Sequence, residues 1–413
     1  MQGQLSTPMQ RRRWPAWLNR NVFAVGLTSL LGDAGYEMAT ALLPGFFAML
    51  GLPAAALGAI EGIADATSSF VKLGAGWFSD RLGHRKTIAV AGYFLSGTSK
   101  ALFAFAYHWP LIFFGRVVAW FGRGIRGPLR DAILAESVPA ESRGKAFGFH
   151  RAGDTIGAVI GPLMAVGVLS HMSPHATDPS RPFRVAFLLT IIPGLASAIT
   201  FATLVRETRR QGSRTSLLTS IRTLPRPFVR FLFGVGMFGA GDYSHTLMIL
   251  AATQLLASRH GVIRSAEISG LLYVLHNILY AVASYPAGAL SDVWGRRGLL
   301  TLGYALGATV AAGFAIAFWL KSADIVFISL LFGLGGTFVA IQDSLEGAMT
   351  ADLIPENERR GVAYGVTGTV NGIGDFISST IVGIVWTIYS PIAAFAYAAL
   401  TMMAGAIAIQ RVR

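Results

Sequence analysis

Gly76-Trp77-Phe78-Ser79-Asp80-Arg81-Leu82-Gly83-His84-Arg85-Lys86 returns later in the chain as Gly288-Ala289-Leu290-Ser291-Asp292-Val293-Trp294-Gly295-Arg296-Arg297. Both stretches run from Gly four residues to Asp, three more to Gly, then into basic residues. A weaker echo relates Ala135-Glu136-Ser137-Val138-Pro139…Arg143-Gly144 to Ala351-Asp352-Leu353-Ile354-Pro355…Arg360-Gly361. A chain that repeats itself over so long a distance is built from two copies of one larger unit.

Outward from these repeats the chain is apolar. Of 413 residues, 53% are hydrophobic and 13% charged, against about 25% charge in a soluble domain. That argues against a soluble enzyme, a disordered chain and a nucleic-acid binder. Cysteine is absent, which removes disulfides and thiolate metal sites. A membrane-crossing helix needs about 20 mostly apolar residues. The sequence supplies twelve such runs. Six lie near 21–48, 54–78, 87–107, 110–134, 145–170 and 183–205, and six near 228–257, 266–290, 298–319, 323–349, 361–388 and 391–410. The first is not a cleavable leader: it is too long, carries Asp33 and Glu37, and lacks a small-residue cleavage site.

Net charge is +13, and its placement explains it without nucleic acid. Alternate connections hold Arg11, Arg12, Arg13 and Arg20; Arg81, Arg85 and Lys86; Arg143 and Lys145; Arg206, Arg209, Arg210, Arg214, Arg222 and Arg226; Arg296 and Arg297; Arg359 and Arg360; Arg411 and Arg413. The opposite connections are sparse, with Arg181, Arg184, Arg259, Arg264 and Lys321. Positive charge collects on the cytoplasmic side of membrane proteins, so both termini are expected there, in an inner membrane of bacterial type. Trp14, Trp17, Trp109 and Trp319 sit near span ends as interface anchors. The expected organisation is an N-terminal six-helix bundle at 1–205, a basic linker at 206–227 and a C-terminal six-helix bundle at 228–413.

At these residues the chain resembles the major facilitator superfamily over its whole length. Gly76, Asp80, Arg81, Gly83 and Arg85 resemble that family's loop motif between spans two and three, with His84 where a basic residue is usual. Asp292, Gly295 and Arg296 belong to the expected degenerate second copy. In span five, Gly148, Gly157, Gly161 and Pro162 resemble a motif associated with the family's antiporters, with Ala165-Val166 in place of its final glycine pair. The arginine motif of span four is off register, since Gly122 stands six residues after Arg116. The resemblance implies an all-α integral membrane fold of twelve helices in two pseudo-symmetric bundles that rock about a midplane cavity. It also implies a gating role for the loop motif and a helix-packing role for the span-five motif. The plainer alternatives are loop topology for Asp80 and Arg81, and ordinary small-residue packing for the glycines.

Charge inside the spans is the sharper signal, because each such group is costly in lipid and usually faces a partner or a wet cavity. Asp33 lies roughly 18 Å into span one at 1.5 Å per residue, and Glu37 follows on the same face. Glu61 and Asp65 repeat that spacing in span two. Span four carries Arg116, Arg123 and Arg130 at intervals of seven, plus Arg126. Span five adds His150, Arg151 and Asp154. The reading takes Asp33, Glu37, Asp65 and Asp154 as proton-coupling candidates. Tyr36, Glu61, Arg116, Arg123, Asp242, His245, His276, Asn277, Asn371 and Asp375 are candidates to line the substrate cavity. Arg126, Arg130, Asp131, Asp343 and Glu346, nearer helix ends, read better as structural pairs. A metal site built from His245, His276, Asp242 and Asp375 is conceivable, but no spacing demands it, and none is assigned.

No phosphate-binding loop, zinc-protease signature or nucleophile elbow is present. Gly234-x-Gly236-x-x-Gly239 matches a dinucleotide fingerprint only on paper, since no strand precedes it. The chain is therefore expected to be no enzyme and to need no cofactor. It is expected to be a monomer whose partners are a small molecule, protons and the lipid bilayer. Proton-coupled efflux is the leading function. Proton-coupled import of an organic anion on the arginine stripe, and metal-ion export, are the alternatives.

Overall fold

The computed structural model describes residues 17–82, 85–139, 142–207, 224–354 and 357–412. Helices occupy all twelve segments that hydropathy marks out. The N-terminal ones are α1 Arg20–Met49, α2 Ala54–Leu82, α3 Arg85–Thr98, α4 Trp109–Glu136, α5 Arg143–Met172, α6 Arg181–Leu189 and α7 Ile191–Leu204. The C-terminal ones are α8 Arg226–Gly239, α9 His245–Trp294, α10 Arg296–Trp319, α11 Ile325–Leu353, α12 Asn357–Ile388 and α13 Pro391–Gln410. Local chemistry sets several starts. Asn19 accepts the N–H groups of Asn21 and Val22 to cap α1. Ser390 caps α13, with Pro391 at its first position.

Three spans are not single helices. Span three continues past Thr98 as a 3-10 turn over Ser99–Phe105. Span six breaks at Thr190, where Pro193 cannot donate to the carbonyl of Leu189 and the Thr190 hydroxyl turns back to Phe187 O at 2.6 Å. Span seven breaks between Gly239 and His245, and then runs through Gly261 (φ 71°) into span eight. Hydropathy treats 228–257 as one helix, and the break is invisible to it because the freed backbone is satisfied from elsewhere. Ala240 O accepts from the Tyr397 hydroxyl at 2.9 Å, Asp242 O from Ser378 at 2.6 Å, and Ser244 N–H donates to Ser379 Oγ at 3.0 Å. Broken backbone at membrane depth is tolerated where protein or a cavity covers it.

Eight helical stretches among the described residues are long and apolar enough to cross a membrane by composition. Neither α1, α2 nor α4 is among them; these helices carry Asp33, Glu37, Glu61, Asp65 and the arginine stripe. The charge that lowers their hydropathy is the charge that builds the site.

The two halves repeat in structure. At the start of α3, Arg85 pairs with Glu136 at the end of α4 at 2.6 Å. At the start of α10, Arg296 pairs with Asp352 at the end of α11 at 2.8 Å. The two sequence echoes thus meet within each half. Gly295 supplies the turn before α10 with φ 87°. A Cβ at Gly288 would meet nothing. Gly76, Asp80 and Arg81 lie within α2, and Asp292 within α9. Their contacts, and Gly83 altogether, lie outside the described residues.

The halves meet through α2 with α12, α5 with α9, and α1 with α9. On the side away from Arg85 and Arg296 the seam is tight. A Cβ on Gly58 would strike Ser379 O, one on Gly62 would come within 2.7 Å of Phe376 O, and one on Gly383 within 2.7 Å of Ala54 O. On the basic side, Cβ atoms at Gly127 and Gly368 would meet nothing. The space between the halves therefore opens toward the basic side.

Candidate functional site

The central cavity between the halves has a volume of about 470 Å³, and it continues into a second space of about 550 Å³ toward the basic side. All the proton-coupling and cavity candidates read from sequence line the central cavity: Asp33, Tyr36, Glu37, Glu61, Asp65, Arg116, Arg123, Asp154, Asp242, His245, His276, Asn277, Asn371 and Asp375. The exposed apolar side chains Phe70 on α2 and Phe114 and Phe121 on α4 lie outside this lining.

In the N-terminal half the charges answer one another. Glu61 Oε2 accepts from Arg116 Nη2 at 2.8 Å and Nε at 3.2 Å, and both side chains are 1% exposed. Arg116 also lies 3.9 Å from the Trp120 ring centroid, a stacking that guanidinium groups favour. Asp65 accepts the Trp120 indole N–H. Asp33 faces Arg126 at 3.7 Å, and Arg126 covers the Tyr93 ring at 4.5 Å. Asp154 faces His150 Nε2 at 3.5 Å, and Ser29 Oγ lies 2.7 Å from the other ring nitrogen. Arg126 and Arg130 are paired, as their position near a helix end suggested. Arg116, expected to serve substrate, is bound to Glu61 within its own half.

The C-terminal half uses neutral partners. Asp242 accepts from Gln342 at 3.0 Å. Glu346 accepts from the Tyr304 hydroxyl at 2.6 Å and from Asn371 at 2.7 Å. Asp343 accepts from the Tyr280 hydroxyl at 2.9 Å. Among the described residues the ion pairs of this half are Arg264 with Glu267, just after the Gly261 kink of α9, and Arg296 with Asp352, at the start of α10 and the end of α11. Asp343 and Glu346, read as structural ion pairs, are hydrogen-bonded to neutral side chains and have no ion-pair partner among the described residues. His245 is the first residue after the span-seven break, with its ring centroid 4.9 Å from that of His276. Among the described residues no three His, Asp or Glu side chains converge as metal ligands.

At the tight end of the seam Ala55 N–H donates to Thr387 Oγ1 at 2.8 Å, and two side-chain donors of α9 reach across to α1 and α5. The Tyr273 hydroxyl donates to Glu37 Oε2 at 2.9 Å. Asn277 Nδ2 donates to Ala158 O at 2.9 Å. The second follows from the span-five motif. Pro162 has no N–H, so the carbonyl four residues before it, Ala158, loses its helical partner, and Asn277 takes its place. Gly157 and Gly161 seat α5 on the backbone of α1, where Cβ atoms would meet Leu30 O and Ala34 O. Gly148 is corrected: a Cβ there would meet nothing, and Gly153, pressed on Gly26 O, makes the equivalent contact.

The sequence reading missed Thr40, Lys100, Trp120 and Tyr273. Lys100 is 2% exposed and donates to Ser96 O at 2.6 Å. Its charge in an otherwise apolar run near 87–107 was the signal available for it.

An all-helical membrane protein of two repeated halves with a charged cavity between them is a solute transporter by class. The Major Facilitator Superfamily model matches residues 25–258 and again 231–412; the chain belongs to that superfamily and is a transporter, not an enzyme. It is 30% identical over 383 residues to an uncharacterised MFS-type transporter of Methanocaldococcus jannaschii, covering 92% of each chain. It is 24% identical over 319 residues to the class B tetracycline resistance protein of Escherichia coli, covering 74% of each. The crystal structure of the nucleoside transporter NupG (D323A mutant) superposes with a TM-score of 0.78 at 13% identity, covering 95% of this chain and 99% of that one.

Proposed function

We propose that the chain exports a small, cation-bearing molecule in exchange for protons, by rocking its two halves about the central cavity. The observation that carries this reading is the charge of the cavity. Its lining includes eight carboxylates against four Lys or Arg side chains, in a chain whose net charge is +13. An excess of carboxylate attracts cations and repels anions, which disfavours import of an organic anion. The excess can be neutralised by protons or by an ammonium group. One ligand displacing the other from the same carboxylates is what exchange requires, since each shifts the equilibrium only by its differential binding.

Glu37 is the carboxylate best placed to link protonation to movement. It has no cation within ion-pair distance among the described residues, and its hydrogen bond from Tyr273 spans the seam. When the halves rock, that bond must break. Asp33, Asp65 and Asp154 hold the rest of the exchangeable charge. With the basic side in the cytoplasm, the described state opens inward. The loop residues Asp80, Arg81, Arg85 and Arg296 then hold the cytoplasmic side when it closes.

The test is transport in proteoliposomes under an imposed pH gradient. Glu37→Gln keeps an acceptor for Tyr273 and removes the titratable group, and Asp33→Asn does the same opposite Arg126. Both are expected to fold, and to lose most gradient-driven transport while retaining downhill exchange. Normal coupling in both variants would remove the proton site from α1.

A further inference from the structure

The central cavity is not uniformly acidic, and its two faces differ in what they leave unsatisfied. On the N-terminal face, three arginines of α4 have carboxylates: Arg116 has Glu61, Arg126 has Asp33, and Arg130 has Asp131. Arg123 has no such partner among the described residues. It stands exposed in the cavity, 4.8 Å from the Tyr36 ring centroid and 5.4 Å from that of Trp120. Three buried polar atoms of residues on the same lining also have no hydrogen-bond partner among the described residues. Two can donate, Arg116 Nη1 and Thr40 Oγ1, and one accepts, Glu61 Oε1 of the carboxylate already paired with Arg116. Guanidinium nitrogens only donate, and a hydroxyl can donate. This face therefore offers unspent donors beside two cationic side chains without an ion-pair partner among the described residues, Arg123 and Lys72, a surface suited to carboxylate or phosphate oxygens.

The C-terminal face is the opposite. Asp242 and Asp375 look into the cavity from the break before α9 and from α12, respectively. Among the described residues neither has a cation in ion-pair range, and the Asp375 carboxylate has no hydrogen bond. Beside Arg123 on the N-terminal face, Tyr36 and Trp120 lie ring to ring at 4.9 Å. A cavity of about 470 Å³ falls in the range of small-molecule sites. A ligand with only an ammonium leaves Arg123 and its neighbouring donors facing it. A ligand with only a carboxylate meets the acidic excess. Only a ligand with both charges satisfies both faces.

Resting on the export reading above, we infer that the substrate is a zwitterion. Its acidic group is seated against Arg123, and its ammonium against Asp242 and Asp375. The two half-sites belong to different bundles, so the ligand bridges the seam and can hold the halves together while bound.

The test uses matched probes with the full-length protein in detergent at neutral pH. One set is phenylalanine, phenethylamine and 3-phenylpropionate; the other is leucine, isopentylamine and 4-methylpentanoate. Binding is read by thermal stabilisation and calorimetry. In at least one set the zwitterion is expected to bind tenfold or more tightly than either singly charged partner. Arg123→Gln should bring the zwitterion down to the affinity of the amine while leaving the amine unchanged or improved. Arg123→Lys should restore part of the loss, which separates a charge effect from a folding defect. Amines that equal the zwitterions in both sets, or zwitterions that give no stabilisation, would overturn the inference. Proton movement is read separately. An amine that alone drives protons across the liposome membrane would sustain proton exchange and overturn the zwitterion. A zwitterion that binds as expected but moves no protons would do the reverse.

Discussion

The two halves share a fold and a loop motif, and they treat buried charge in opposite ways. In the N-terminal half, Glu61, Asp33 and Asp154 are each met by a basic side chain. In the C-terminal half, Asp242, Asp343 and Glu346 are met by Gln342, Tyr280, Tyr304 and Asn371. A buried carboxylate hydrogen-bonded to arginine, as Glu61 is to Arg116, stays charged and fixed, since separating the pair strands a charge in a poor solvent. A carboxylate held by hydroxyls and amides has no resident counter-ion, and its charge is free to be answered by something that comes and goes. The Glu61–Arg116 pair thus serves as a fixed electrostatic frame in one bundle, and the exchangeable surface is made of carboxylates without such a bond, Glu37 on that bundle and Asp242 and Asp375 on the other.

The largest expected effect breaks the frame. Arg116→Gln leaves Glu61 buried without its partner, at a cost of about 3–5 kcal/mol. Thermal unfolding should show a large loss of stability, whereas Asp375→Asn should change stability by less than about 1 kcal/mol. Equal losses in the two variants would erase the contrast between the halves. The next effect lies on the exchangeable surface. Asp242→Asn keeps a partner for Gln342 and removes the charge. Cation-bearing ligands should bind about tenfold more weakly, near 1.4 kcal/mol, with stability nearly unchanged, and calorimetry on the purified variant reads this directly. The smallest effect concerns the seam. Pro162→Ala restores an N–H for Ala158 O and competes with Asn277, and Asn277→Leu removes the donor, at about 1 kcal/mol. Both should shift the spin-label distance across the far side between α5 and α9 in the same direction. Opposite shifts would show that the proline acts through helix bending instead.

Much of this was legible in the sequence, for identifiable reasons. The repeat at Gly76 and Gly288, the apolar runs and the placement of arginine foretold two helical bundles. Charge spaced by four or seven residues foretold which faces of α1, α2 and α4 turn inward. Pairing was less legible. Both Arg116 and Arg123 lie on one stripe, and only three-dimensional packing decides that Glu61 reaches the first and not the second. The break before His245 was hidden because its stabilising groups, Ser378, Ser379 and Tyr397, come from distant helices. The contribution of Asn277 was hidden for the same reason, since its partner is a backbone carbonyl freed by Pro162. Gly148 shows the reverse error: its place in a motif suggested a contact that packing gives to Gly153 instead.

The central claim is that protons and a cation-bearing ligand compete for the same cavity carboxylates. It is tested most directly by recording proton exchange as ligand binds to the purified transporter in weakly buffered detergent solution. The account predicts release of protons on binding of an ammonium-bearing ligand, reduced in Glu37→Gln and Asp242→Asn. Proton uptake, or binding with no proton exchange in the unmodified protein, would contradict it.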